Sequence, residues 1–81
     1  MTLVGEWRVL SRPDCRLCEA MLQQLVDLLG EQAGQVMVQD ISDDAELERK
    51  YGQRIPVLII DGEFVCAYRL DQSRIQPYLA N

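Results

Sequence analysis

The chain predicts an α/β fold built on a mixed four-stranded sheet, with elements in the order β-α-β-α-β-β-α. Three observations carry this reading. A short run, Trp7-Arg8-Val9-Leu10-Ser11, has strand composition, and it precedes a stretch whose apolar residues recur at helical intervals. Further on, Asp61-Gly62 separates two runs rich in β-branched and aromatic residues. At 81 residues, 48% of them apolar, the chain has material for one domain over residues 1–81 with one modest core, and is too apolar for a disordered segment.

Each element follows from its local pattern. Trp7–Ser11 reads as the first strand, and Arg12-Pro13-Asp14 as the turn that leads into a helix. From there Leu17, Met21, Leu22, Leu25, Val26, Leu28 and Leu29 keep helical spacing until Gly30 stops the helix, which packs one face on the sheet. Val36-Met37-Val38 with Ile41 reads as a second strand, short and largely buried, parallel to the first. Asp43 then has the place of an N-cap with Glu46 at N3. Arg49 and Lys50 fall in the last turn before Gly52, so both ends suit the helix dipole. Pro56–Ile60 and Glu63–Tyr68 form an antiparallel hairpin, closed by a pair suited to a type I′ turn. The tail from Asp71 to Leu79 has helical spacing at Leu70, Ile75, Tyr78 and Leu79; because Pro77 fits only near a helix start, Ser73 is the expected cap. Trp7, Tyr51 and Tyr78 are read as packing residues. Cys66, alternating with Phe64 and Tyr68, is read as a buried, inert cysteine.

Bulk properties narrow the function. Met1-Thr2-Leu3-Val4-Gly5-Glu6 has no basic segment followed by a long apolar stretch, so no signal peptide is expected. No run nears the ~20 apolar residues of a membrane span, so no membrane partner is expected and the cytoplasm is the expected location. A net charge of −5 argues against nucleic acid, whose phosphates need a basic face.

The chemistry centres on Cys15-Arg16-Leu17-Cys18, two thiols on one helical turn. Where thiols are kept reduced, such a pair serves catalysis or metal binding rather than acting as a structural staple. In the redox reading Cys15 is the nucleophile, because free N–H groups at the helix start favour its thiolate, and Cys18 resolves the mixed disulfide. Arg12 and Arg16 add positive charge nearby, while Asp14 and Glu19 oppose it. A closed zinc site needs four ligands; with no histidine and only Cys15, Cys18 and Cys66, no metal site is assigned. An inert pair is the plain alternative.

This Cys-X-X-Cys between first strand and first helix, followed by Ile55-Pro56 opening the third strand and then by Asp61-Gly62, resembles the thioredoxin fold in its compact glutaredoxin-like form. The resemblance runs from about Trp7 to Leu79 and is to the small glutaredoxin-like proteins. It implies a thiol–disulfide oxidoreductase that cycles between a Cys15–Cys18 disulfide and a dithiol. It further implies protein or small-molecule disulfides as substrates, and a reductase system that restores the dithiol. Pro56 resembles the cis-proline that faces the dithiol in this fold, where the Ile55 backbone pairs with an extended substrate as an added strand. Exchange requires no organic cofactor; glutathione is a candidate reductant. Glutathione-using glutaredoxins carry Gly-Gly followed shortly by Asp after the fourth strand. Here Val65-Cys66-Ala67-Tyr68-Arg69-Leu70-Asp71 has no glycine, leaving Asp71 at the acidic position and Arg69 as a grip for a carboxylate.

Two rival readings stand beside the enzyme. One is a non-enzymatic binding module that holds a partner peptide in the groove beside Ile55-Pro56. The other is an iron–sulfur carrier, in which two copies bridge a cluster and glutathione supplies the remaining ligands, as in some glutaredoxins. For the oxidoreductase a monomer is expected. Strand directions gather Arg12, Arg16, Arg54 and Arg69 around the dithiol, a field that favours the Cys15 thiolate and draws anionic substrates. The plainer expectation is that these arginines pair with Asp14, Glu19 and Asp71.

Overall fold

The computed structural model describes residues 2–80. Its strands are β1 (Thr2–Leu3), β2 (Trp7–Ser11), β3 (Met37–Asp40), β4 (Val57–Ile60), β5 (Glu63–Ala67) and β6 (Leu79–Ala80); its helices are α1 (Arg16–Leu29), α2 (Ala45–Tyr51) and α3 (Gln72–Ile75). The main sheet has the order β3-β2-β4-β5, with β2 parallel to β3 and the other pairs antiparallel. This is the mixed four-stranded α/β arrangement that the sequence predicts.

Two hydrophobic clusters flank the central strands. Side chains alternate across a strand, so Trp7 and Val9 of β2 join one cluster while Leu10 joins the other. The first takes Met21, Leu25 and Leu29 from α1, Leu58 and Ile60 from β4, and Ile75 from α3. The second takes Tyr51 and Leu47 from α2, with Ile41, Ile55 and Val57. The stripe that α1 buries is narrower than its apolar pattern, since Leu17 and Val26 are exposed. Among the described residues, no helix is long and apolar enough to cross a membrane.

Several boundaries and exposures differ from the sequence reading. The second strand of the main sheet is not buried: β3 is an edge strand with β2 as its partner in the sheet, so Met37 and Val38 are exposed. Ile41, just beyond it, is the residue that enters the core. The N-cap of α2 is Asp44 rather than Asp43, because Asp44 is the extended residue next to the first helical one; its carboxylate accepts the Leu47 N–H at 3.0 Å. Likewise Asp71, not Ser73, caps α3, accepting the Ser73 and Arg74 N–H groups at 3.1 and 3.3 Å and the Ser73 hydroxyl at 2.6 Å. That helix does not reach Leu79. It is one turn long and passes at Gln76–Tyr78 into a 3-10 helix with Pro77 near its start, then into β6. The tighter helix suits a residue without a backbone donor. A further 3-10 stretch, Gly30–Gln35, extends α1.

The hairpin turn has positive φ at both Asp61 (52°) and Gly62 (80°), as a type I′ turn requires. A bulge interrupts the β4–β5 register between Leu58 and Ile59, which pair with Cys66 and Phe64 and leave Val65 over. Val65 and Cys66 therefore both point inward, and strict alternation fails. Cys66 is 4% exposed while Phe64 is 42% exposed, so they do not share a face. Finally, β1 and β6 form a separate two-residue ladder, Thr2 opposite Ala80 and Leu3 opposite Leu79, extended by the Val4 N–H donating to the Tyr78 carbonyl at 2.7 Å.

Candidate active site

The chain leaves β2 at Ser11 and reaches Asp14 in the left-handed region, φ 57°, a conformation that a short polar side chain tolerates. This turn sets Cys15 in extended geometry (φ −104°, ψ 110°) as the N-cap of α1. The Cys18 N–H donates to Cys15 Sγ at 3.3 Å. Sulfur thus occupies the place that a serine or aspartate oxygen takes at an ordinary cap. A negative charge there is favoured by the unpaired N–H groups and by the dipole of a 14-residue helix. The two sulfurs lie at bonding distance, with their Cα atoms 5.2 Å apart. Cys15 is half-buried, whereas Cys18 is 2% exposed and packs among Leu10, Ile41, Tyr51, Ile55 and Val57. Of the two cysteines, the first is therefore the one open to solvent. Cys66 belongs to the opposite cluster, where burial pushes its thiol pKa up.

Ile55 and Pro56 are both buried and joined by a cis peptide bond. The Pro56 carbonyl accepts the Tyr68 N–H at 2.9 Å, tying the start of β4 to the end of β5. Tyr68 has φ 69°, rare for an aromatic residue, and its hydroxyl donates to the Gln53 carbonyl at 3.2 Å. Tyr68 thereby braces the Gln53–Pro56 segment through both backbone and ring. Sequence reasoning gives Tyr68 no role. The one signal for it is the glycine-free stretch from Val65 to Asp71, where the chain needs a positive φ that glycine supplies more cheaply.

The four arginines expected around the dithiol differ in their partners. Arg12 is engaged by Glu48 of α2: its Nε donates to Oε2 at 2.7 Å and its Nη2 donates to Oε1. These bonds raise the Arg12 pKa and hold the Glu48 carboxyl below the usual carboxylate range. Asp71 is occupied as the cap of α3, which lowers its pKa through the Ser73 hydrogen bond, and its other oxygen lies 3.5 Å from Arg74 Nε. The anticipated partners Asp14, Glu19 and Asp71 are thus replaced by Glu48 for Arg12, while Asp71 faces Arg74. Among the described residues Arg16, Arg54 and Arg69 have no ion-pair partner. Arg16 opens α1 next to Cys15, and Arg54 lies over the Phe64 ring, 6.0 Å from its centre. Among the described residues no three Cys, Asp or Glu side chains converge to hold a metal ion. A groove of about 630 Å³ is lined by Glu48, Arg49 and Lys50 of α2, Gln53 and Arg54 of the loop that follows, and Tyr68. From sequence, Arg49 and Lys50 are legible only as partners of the helix dipole.

Known proteins carry the same frame. The solution NMR structure of a protein from Nitrosomonas europaea superposes with a TM-score of 0.82 at 30% identity, covering 99% of this chain and 96% of that one. The X-ray structure of a structural genomics target from X. campestris superposes with a TM-score of 0.72 at 29% identity, over 89% of this chain and 92% of that one. An uncharacterized protein of Mycobacterium tuberculosis is 27% identical over 77 residues, 89% of this chain and 79% of the relative. A counterpart in Mycobacterium bovis matches to the same extent, 27% over 77 residues. The profile of the glutaredoxin-like domain (DUF836) matches residues 8–80, a span that includes Cys15, Cys18 and Ile55-Pro56. With its sheet, its cysteine pair at the head of α1 and this match along nearly its whole length, the chain belongs to the glutaredoxin-like domain family.

Proposed function

We infer that the chain is a thiol–disulfide oxidoreductase in which Cys15 exchanges with substrate and Cys18 resolves. The observation that carries this reading is Cys15 Sγ at the N-cap of α1, accepting the Cys18 N–H with the second sulfur at bonding distance behind it. In the reduced protein the Cys15 thiolate attacks one sulfur of a substrate disulfide; that S–S bond breaks, and the departing thiolate takes a proton from water. Cys18 then gives up its proton and attacks Cys15 Sγ. This releases the second substrate thiol and closes the Cys15–Cys18 bond. Two electrons pass from protein to substrate, and an external thiol, either two glutathione molecules or a protein dithiol, returns them. The reading sets the protein in the cytoplasm, acting as a monomer on protein or small-molecule disulfides, with Arg16, Arg69 and the Ile55 backbone beside the reacting sulfur.

The test is exchange between the reduced protein and a neutral peptide disulfide, followed by mass spectrometry. Wild type should release both substrate thiols and gain the Cys15–Cys18 bond, and Cys15→Ser should release none. Equal behaviour of the two proteins would remove the reading. Partner binding that persists unchanged in a Cys15→Ser/Cys18→Ser protein, with no exchange in wild type, would instead select the binding module.

A further inference from the structure

The two edges of the main sheet are finished differently. β5 is guarded, because a bulge opposite Leu58 and Ile59 bends it and its Val65 carbonyl accepts Arg74 Nη1 at 3.1 Å. β3 keeps an unbroken register with β2 and carries neither a proline nor a basic residue. Just past β3 the Ile41 N–H donates inward to the Ser11 carbonyl at 3.0 Å. Backbone groups alternate along a strand, so Met37 and Gln39 turn theirs toward β2, while those of Val38 and Asp40 point out of the sheet. Among the described residues no carbonyl outside the sheet accepts either of these N–H groups.

An apolar shelf borders this open edge. Val38 is in register with Val9, which packs in the cluster beneath α1, so its side chain is on the α1 face, yet it is 54% exposed. Along α1, Leu22 and Val26 fall on one flank of the buried Met21, Leu25 and Leu29 stripe, and Gln24 and Leu28 on the other. The second flank faces α3: Gln24 accepts the Leu70 N–H at 3.5 Å, and Gln24 and Leu28 line a recess with Gln72. Since α3 adjoins β5, Val26, itself half-exposed, turns toward β3. Met37, on the opposite face of the sheet, is also exposed.

Charge selects what covers this edge. Between Arg16 and Arg49 the sequence has no Lys or Arg, while Glu19, Asp27, Glu31, Asp40, Asp43 and Asp44 are all acidic. That stretch comprises α1, β3 and the connections around them. A second copy of the chain would set the same acids, and a net charge of −5, against themselves.

We propose that the β3 edge docks an extended segment of a protein partner, added to the sheet as a fifth strand, in which apolar residues alternate with Lys or Arg. Its main chain meets the outward groups of Val38 and Asp40. Its apolar side chains cover Val38 and Val26 on one face. On the other, its cations lie on the side of α2, led by Asp43 and Asp44, with their methylene stems over Met37. The surface goes beyond the oxidoreductase reading and uses none of the residues that carry it.

The probe is a blocked, cysteine-free peptide of alternating Val and Lys. Its two controls carry Glu in place of Lys, or N-methyl groups at every second residue. Hydrogen exchange of the Val38 and Asp40 amides is followed by NMR. The Val/Lys peptide should slow exchange at both about tenfold, less so as salt rises, and each control should bind about tenfold more weakly. Val38→Lys, a change at an exposed position, should keep the melting temperature and lose the peptide. Equal binding of the Glu peptide, binding that leaves both amides unprotected, or no binding overturns the proposal. Protection that appears without peptide and rises with protein concentration makes a second copy the occupant, and overturns it too. None of these outcomes touches the oxidoreductase reading, which is decided by thiol exchange.

Discussion

The Arg12 guanidinium grips both carboxylate oxygens of Glu48 across 36 residues of sequence, joining the turn before Cys15 to the middle of α2. The pair sets the spacing between the segment that presents the dithiol and the helix that leads to the cationic groove. Its linkage to pH has a definite sign. The Glu48 carboxyl is held below the usual carboxylate range by its bonds to Arg12, so the stabilisation is present above that range and is lost as pH falls through the lowered value. Thermal unfolding of wild type and Glu48→Gln should therefore differ most near neutral pH and converge in acid. A difference that grew on acidification would contradict the pairing.

Gly52 is the neighbour that makes this pair fit. A Cβ there would collide with the carbonyl and carboxylate oxygens of Glu48 and come within 2.8 Å of Arg12 Nη2. Because the carbonyl is backbone, no rotamer relieves the clash. Gly52→Ala should lower stability by about 1–3 kcal/mol, the usual range for overpacking, in urea unfolding.

The three cysteines should separate under alkylation. In the reduced protein iodoacetamide should label Cys15 first, since it is the more exposed thiol and holds the cap position. Cys66, buried and with its pKa raised by desolvation, should react only once denaturant opens the core. Cys18→Ser should accumulate a mixed disulfide at Cys15, detected as an adduct mass. Early labelling of Cys66 would contradict its placement in the core.

Asp71 should behave as a helix cap. Asp71→Ala should lower the melting temperature by a few degrees, and Asp71→Asn, which keeps an acceptor for the Ser73 and Arg74 N–H groups, should restore most of the loss. Since burial of its carboxylate is slight and its pKa is lowered, the benefit of wild type over Asp71→Ala should fade as pH drops through the carboxylate range.

What the sequence made legible was local. Trp7–Ser11, the helix that starts after Cys15 and the Asp61-Gly62 turn each follow from composition and spacing within a few residues, and each is in place. The cysteine pair could be put at a helix start because the turn residues and the apolar period meet there. The misses have longer reach. The bulge opposite Leu58 and Ile59 depends on how two strands mate, and it reverses which side chains share a face with Cys66. The edge position of β3 depends on which strands pair, so Met37 and Val38 look like core residues until the sheet order is known. Arg12 chooses Glu48 over nearer acids because folding, not sequence distance, brings them together. In the adjacent Asp43-Asp44 pair the cap differs by a single residue, which pattern does not resolve.

The ladder of β1 and β6 has a mechanical meaning. Thr2 lies opposite Ala80 in antiparallel strands, so a load applied at these two residues acts across the ladder rather than along it. Its few hydrogen bonds would break in succession, like the teeth of a zip, before tension reached β2. Drawn by Thr2 and Ala80 the fold is soft at first; held by Ser11 and Ile60, within the main sheet, it would be stiff.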